Sequence, residues 1–412
     1  MCYWFLEPLL MRLFQFCIAF VVLANMTNAV AQETRLDGAI ESKLEHNTNY
    51  RFTSGPHDSI EVLSLKPSLS LSRNTESAST SATASVTSYK LTGSEASDRN
   101  DMNLMLSTVL KMDRDSFQFS AGYLKDSTLS TELKLTGIPL SLQDRKSLSL
   151  SGSWIHDLTE RMKNSFSVSF AQVNYSGSLS TSDYRYYVVS DSLQYALNES
   201  DIVSGTFSQS YYDLANNSLK SDTTNLTLGW DHTFDEWMTM NLQVGRFVSD
   251  NKRTQSICPS NHNEVLNGYF VCDIPLEKKE ETSKSYGSIL NGSLDYKWNE
   301  TLGYQLAYSR TLNPSGANAL LLTDNYRFSM NKQLDTNLSL GFGISKLESS
   351  YIGLSGAAPT KFLSTSLNLN WQAFETVNVE SGLRLQKREN GPSQNVFYVQ
   401  LRKNWNEIRS FR

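Results

Sequence analysis

The chain has 412 residues, a net charge of −5 and 39% hydrophobic residues. That apolar content is too low for a helical membrane protein, and beyond the N-terminal segment no stretch approaches the roughly 20 consecutive apolar residues of a spanning helix. The mild acidity, with no basic run and no glycine-rich phosphate loop, argues against a nucleic-acid partner.

The N-terminus reads as a signal peptide over 1–31. Arg12 precedes an apolar run over 13–24, and Ala29-Val30-Ala31 is a small-x-small cleavage site before Gln32. Met11 would be a more conventional start than Met1. No Cys follows the cleavage site, which argues against a lipid anchor. Residues 32–412 are then one domain, without a linker or a shift in composition. Cys2 and Cys17 leave with the signal, so Cys258 and Cys272 remain. In an oxidising compartment the pair is expected to form a disulfide closing a loop of about 15 residues, which stabilises by roughly 3 kcal/mol. The alternative is a metal pair, for which His262 is the one neighbouring ligand.

From there to the end, the segments that can be read have period two. Leu63, Leu65, Pro67, Leu69 and Leu71 alternate with Ser64, Lys66, Ser68, Ser70 and Ser72. The pattern recurs at 102–110, 117–123, 148–154, 166–170, 193–197, 203–211, 226–234, 238–248, 338–344, 363–371, 377–385 and 397–405. The stretch 292–310 shows it twice over. Leu294, Tyr296 and Trp298 alternate with Ser293, Asp295 and Lys297; after Asn299-Glu300 the alternation restarts at Leu302, Tyr304, Leu306 and Tyr308. Each such segment predicts a strand with one apolar and one polar face.

Short connections alternate with long polar ones, among them a long loop over 250–283, and the count predicts about 18 strands. Short turns at one end and long loops at the other are the signature of a transmembrane, antiparallel, up-and-down β-barrel with short periplasmic turns and long extracellular loops. Closure of the sheet satisfies every backbone hydrogen bond in lipid. The all-β alternative is a secreted sandwich, which at this length needs two or more domains. The Trp residues also favour the barrel. Trp154, Trp230, Trp237, Trp298, Trp371 and Trp405 all lie near short turns or the end of the last strand, as a periplasmic aromatic girdle requires. The predicted place is the bacterial outer membrane of a Gram-negative cell, among its lipids and lipopolysaccharide, after delivery by the barrel-assembly machinery.

Parity assigns the wet face to the lumen. Candidate lining residues are Glu41, Lys43, Glu45, Asp295, Lys297, Gln305, Arg327, Glu380, Arg384, Gln386, Gln400 and Arg402, of both signs and interspersed. Lys125, Arg246 and Arg310 share the parity of the apolar face at the long-loop end, where cations meet lipopolysaccharide phosphates at small cost. The loop over 126–145 is unusually apolar, with Leu129, Leu133, Leu135, Ile138, Leu140 and Leu142. Two readings stand: it extends the fifth and sixth strands above the membrane, the favoured one, or it folds inward and narrows the pore.

Several segments resemble the outer-membrane β-barrel porins found with exopolysaccharide and exosortase-type systems. They are NTNYRF (47–52), LKPSLSLS (65–72), DSTLSTELKLTG (126–137), DRKSLSLSGSWIHDLTERMKNSFSVSFAQVNY (144–175) and RTLNPSGANAL (310–320). The resemblance implies a transport role connected with polysaccharide export, with exopolysaccharide or its export components as partners. One departure concerns the C-terminus: barrels of this kind usually end on an aromatic residue, whereas NEIRSFR follows Trp405. Either the signal is internal or the last strand is longer and wetter.

No catalytic or cofactor site is expected. His46, His57, His156, His232 and His262 are scattered, and GLSGA (353–357) lacks the spacing and setting of a nucleophile elbow. No His pair has metal spacing, and no acidic run has calcium-loop spacing. The leading expectation is a porin-like channel or an accessory to exopolysaccharide export. The alternative is a non-conducting structural or adhesion barrel whose long Cys258–Cys272 loop binds a surface partner. A barrel enzyme is the least favoured reading.

Overall fold

A strand with one apolar face cannot stand alone in lipid, because its edge groups would go unpaired. The computed structural model resolves that problem by closing one sheet on itself. It describes residues 32–411 apart from 56, 94–97, 139–141, 177–180, 216–217, 258–262, 267–268, 273–276, 318 and 353–358. The expected signal peptide with its Ala31–Gln32 cleavage site, Cys258, His262 and the 353–357 segment are thus at least partly outside the described residues.

The elements in order are β1 (Gln32–Asn47), β2 (Ile60–Asn74), β3 (Ala78–Thr92), β4 (Arg99–Lys111), β5 (Asp115–Ser127), helix α1 (Thr128–Thr136), β6 (Asp144–Thr159), β7 (Met162–Tyr175), β8 (Tyr184–Ala196), β9 (Asp201–Leu214) and β10 (Leu219–Thr233). They continue with β11 (Met238–Ile257), β12 (Asn263–Leu266), β13 (Tyr269–Cys272), β14 (Glu277–Asn299), β15 (Leu302–Ser315), β16 (Ala319–Asp335), β17 (Leu338–Tyr351), β18 (Thr360–Phe374), β19 (Val377–Arg388) and β20 (Ser393–Phe411). The main sheet has 18 strands, each antiparallel to the next in the chain, with β12 and β13 forming a separate hairpin between β11 and β14. The last strand closes on the first, from Gln32 opposite Phe411 to Asn47 opposite Val396. This is the expected barrel. The last strand is the longer of the two readings of the C-terminus, because the segment after Trp405 continues β20 to Phe411.

Two expectations need correction. The long loop read over 250–283 is largely strand: β11 and β14 stay paired out to Ile257 opposite Glu277. The polar sequence there does not forbid a ladder, since above the membrane both faces are wet and backbone pairing alone holds the strands. The loop after β5 does not extend its strands. Strand β5 stops at Ser127, α1 follows at once, and β6 begins at Asp144.

The side facing inward is identified by α1. The helix touches β5, from which it emerges, and also β15 and β17, which lie nearly opposite around the ring. Only a segment inside the barrel reaches both walls. Leu133 of α1 packs with Phe52, Leu347 and Phe362 in one buried cluster, and Ile138 with Ala319 and Leu321 in another. Leu347 and Phe362 pair across β17 and β18, so that parity is inward. The opposite parity carries the exposed Leu, Ile, Phe and Tyr side chains, among them Leu36, Leu69, Leu228, Leu306, Ile344 and Leu367.

The six Trp cluster toward the short-turn ends of their strands and point outward, each more than a third exposed. Trp298 is the most exposed, at 65%, and sits where a register shift between Lys297 and Asn299 turns it out of the ladder.

Candidate functional site

The inward fold of α1 is encoded locally. Ser127 caps the helix: its side chain accepts from the Ser130 backbone N–H, and Ser130 reciprocates toward the Ser127 backbone in a capping box. Gly137 ends it in the left-handed region at φ 68°, with its N–H donating to the Leu133 carbonyl at 2.9 Å. A side chain at Gly137 would also meet Phe362, since an added Cβ falls 2.9 Å from the Phe362 Cβ. The stem is closed by Thr128 N–H to the Gln143 carbonyl at 3.1 Å and by Gln143 N–H to Thr128 Oγ1 at 3.2 Å.

Glu132 anchors the helix to the wall. It is 1% exposed and accepts hydrogen bonds from the Tyr175 hydroxyl and, at 3.2 Å, from Ser315 Oγ. Arg145 stands beside it, with Nε 3.6 Å from Glu132 Oε1 and Nη1 3.3 Å from Asp126 Oδ1. Tyr212 donates to the Ser315 carbonyl at 2.7 Å, and Tyr175, Tyr184 and Tyr212 pack in a row beneath. Three inward faces, those of β6, β7 and β15, therefore meet on one carboxylate. Burial pushes the Glu132 carboxyl above the ordinary glutamate range, outweighing the Tyr175 hydrogen bond and the Arg145 charge that favour its ionised form.

The other face of α1 looks into what remains of the lumen. Lys134 is exposed there. Confinement by the surrounding wall lowers the pKa of its ammonium, and the cations Arg384 and Lys43 push it the same way. Opposite lies a polar wall made by three adjacent strands. Lys43 pairs with Glu45 at 2.6 Å and lies 4.4 Å from the Tyr398 ring centroid, and the Tyr398 hydroxyl donates to Glu380 at 2.6 Å. The register aligns Glu41 with Arg402, Lys43 with Gln400, and Glu380 with Gln400.

The predicted lining residues divide into two groups. Glu41, Lys43, Glu45, Glu380, Arg384, Gln386, Gln400 and Arg402 share the inward parity of β1, β19 and β20 beside Lys134. Asp295, Lys297, Gln305 and Arg327 form a second patch on β14, β15 and β16, where Gln305 donates to Asp295 at 2.8 Å. Sequence reasoning missed Lys134, Glu132 and Tyr398. The apolar pattern of the 126–145 loop was the available signal for the first two; nothing marked Tyr398.

A third arrangement lies outside, near the short-turn end. Asp115 accepts from Trp154 Nε1 at 2.7 Å and lies 2.9 Å from His156 Nδ1. Asp201 repeats this with Trp230 at 2.9 Å and His232 at 2.7 Å. These two histidines are thus engaged by the same carboxylates that hold Trp154 and Trp230. Among the described residues, no three His, Cys, Asp or Glu side chains gather as a metal site would need. The Cys258–Cys272 pairing lies outside the described residues, as Cys258 is not described.

No protein-family model and no curated protein matches the sequence. Among solved structures, the chain is similar to OccAB4 of Acinetobacter baumannii, with 10% identity, a TM-score of 0.51, and coverage of 92% of this chain and 100% of that one. The outer membrane protein opdK of Pseudomonas aeruginosa aligns at 9% identity and a TM-score of 0.49, covering 91% of this chain and 99% of that one. At such identities the likeness is one of fold, and the resemblance to exopolysaccharide-associated porins gains no support from it. The chain folds as a closed 18-stranded antiparallel barrel, and its place is the bacterial outer membrane.

Proposed function

We propose that the protein is a porin-like channel for small polar solutes, constricted by α1. The observation that carries this reading is the helix itself: it is anchored inside the barrel through Glu132, while Lys134 faces the charged wall of β1, β19 and β20. A barrel that served only to display loops would need no charged wall opposite an inward-folded helix. The near cations are Lys43, Lys134 and Arg384 and the near carboxylates Glu45 and Glu380; Lys43 and Glu45 pair with each other, so one cation is in excess. This balance supports a mild preference for anionic solutes.

The test is single-channel recording of the refolded barrel in planar bilayers, with a heat-modifiable gel shift as proof of folding. Discrete conductance steps with modest anion preference support the channel. Silence from a folded barrel overturns it and favours the adhesion reading. Adding oligosaccharides as blockers addresses the polysaccharide-export role: concentration-dependent block would support it, and unblocked current would remove it.

A further inference from the structure

On the outer wall, Lys125 of β5 stands directly opposite Lys146 of β6. Both share the outward parity of their neighbours Tyr123 and Leu148. Like charges at directly opposed cross-strand positions destabilise a sheet. Their compensation is slight: Asp144 approaches Lys125 only to 3.8 Å, and among the described residues Lys146 has no ion-pair partner. The pair therefore raises the question of what anion it faces.

Its height supplies the first part of the answer. Along the same two strands, the outward pair Phe117–Trp154 marks the girdle, and Lys125–Lys146 lies eight residues away. At about 3.3 Å per residue and a tilt of about 40°, that separation is roughly 20 Å along the membrane normal, close to the ~25 Å apolar band of such barrels. The two lysines thus sit at the opposite headgroup boundary, on the long-loop side, where the outer leaflet ends.

The wall beneath supplies the second part. A groove of about 540 Å³ opens in the apolar surface, lined by Leu69, Leu71, Ala82, Ala84, Leu104 and Ala121 with Tyr123 and Leu148 at its upper edge. It exists because alanines stand at outward positions where neighbouring strands carry leucines. The row Leu69, Ala84, Leu104, Tyr123, Leu148 runs one outward step below Met102, Lys125 and Lys146. Beside Lys146, Asn174 is its cross-strand partner on β7, and Gln172 lies next to it on the same face. An acyl-sized apolar groove capped by paired cations and amides is complementary to a lipid that carries phosphate and sugar hydroxyls on saturated chains.

We propose that this face binds the phosphorylated glycolipid of the outer leaflet, the lipid A part of lipopolysaccharide, with a phosphate between Lys125 and Lys146 and a chain in the alanine-lined groove. The site is independent of whether the lumen conducts. Native mass spectrometry of the detergent-purified full barrel, titrated with bis-phosphorylated lipid A, tests it. Wild type should retain one lipid A, and Lys125→Gln with Lys146→Gln should weaken retention at least tenfold. Ala84→Leu, which fills the groove and keeps both lysines, should weaken it as well. Heat-modifiable gel mobility reports that each variant is folded. A second reading does not depend on affinity: in detergent alone, the double glutamine variant should melt no lower than wild type, because a repulsion has been removed, whereas with lipid A wild type should melt higher. Equal retention by the double variant, or equal competition from phosphatidylglycerol, overturns the assignment.

Discussion

Glu132 and Lys134 are two residues apart, yet they face opposite fates, one sealed against the wall and one open to the lumen. Replacing Glu132 by Ala strips partners from the Tyr175 and Ser315 hydroxyls and from Arg145, whose side chain is 7% exposed. Removing one member of a buried charged group costs about 3–5 kcal/mol, and Arg145 keeps Asp126, so the lower end applies to docking of α1. Amide exchange over 128–136 should then accelerate by roughly a hundredfold. Glu132→Gln should behave differently. The docked carboxyl is held above its value in the released loop, about 4.3, so the docked state binds the proton more tightly. Its contribution is complete below the released value and is lost as pH rises through the raised one. The glutamine variant mimics the protonated form, so it should retain protection and flatten this pH profile; a profile like that of wild type would remove Glu132 as its source. Lys134→Glu replaces a cation opposite Lys43 and Arg384 by an anion, and the reversal potential in a salt gradient should move toward cation preference. An unmoved potential would mean that ions do not pass Lys134. Neither residue stood out in the sequence, because a lone Glu and Lys in a loop are ordinary solvated charges until the fold brings Arg145 and Arg384 beside them.

At the scale of elements, the strands were legible and the helix was not. Alternation along 63–71 or 292–310 follows directly from a sheet with lipid on one side and water on the other, so those segments emerge as strands, with the turn one residue later than read, at Glu300-Thr301. The loop after β5 has no such rule. Its leucines did signal burial, but a helix of nine residues spans too few turns to establish a 3.6 period against the noise of Ser and Thr. What decided the outcome was tertiary: the partners of Leu133 and Ile138 are Phe52, Leu347, Phe362 and Leu321, drawn from strands and a loop far away in sequence. The same reasoning makes the helix separable from the barrel. Its contacts are a few side chains on an already closed sheet, so deletion of 129–142 should leave a folded, heat-modifiable barrel and raise the single-channel conductance several-fold. An unchanged conductance would show that α1 does not set the bore, however well it is anchored.

Over the whole molecule, closure and tilt convert chain position into depth, which gives the Trp residues a collective meaning. Trp154, Trp230, Trp237, Trp298, Trp371 and Trp405 come from hairpins spread between β5 and β20, with Trp230 and Trp237 sharing one, yet each lies outward near a short turn or the end of the last strand, and the rest of residues 32–412 contains no Trp. A barrel whose strands slid by two residues would still alternate correctly, but its aromatic residues would no longer share one level with the apolar band above them. The Trp level therefore tests the register as a unit. Trp154 and Trp230 are also tied down, to Asp115 and Asp201, in hydrogen bonds that place a carboxylate and a histidine at the same height. Those polar groups belong at the headgroup boundary and are costly in hydrocarbon. Bulk Trp fluorescence of the barrel in liposomes consequently reports on a single interface. Quenching by lipids brominated at successive chain positions should be strongest for bromines nearest the glycerol and fall steadily toward the chain ends. It should also follow one depth profile without a second population, since no Trp marks the far boundary. A maximum at the chain ends would place the girdle in the bilayer centre, and with it the Asp–His–Trp contacts in hydrocarbon. The membrane position of the barrel, and with it the height assigned to Lys125 and Lys146, would then be wrong by about half a bilayer.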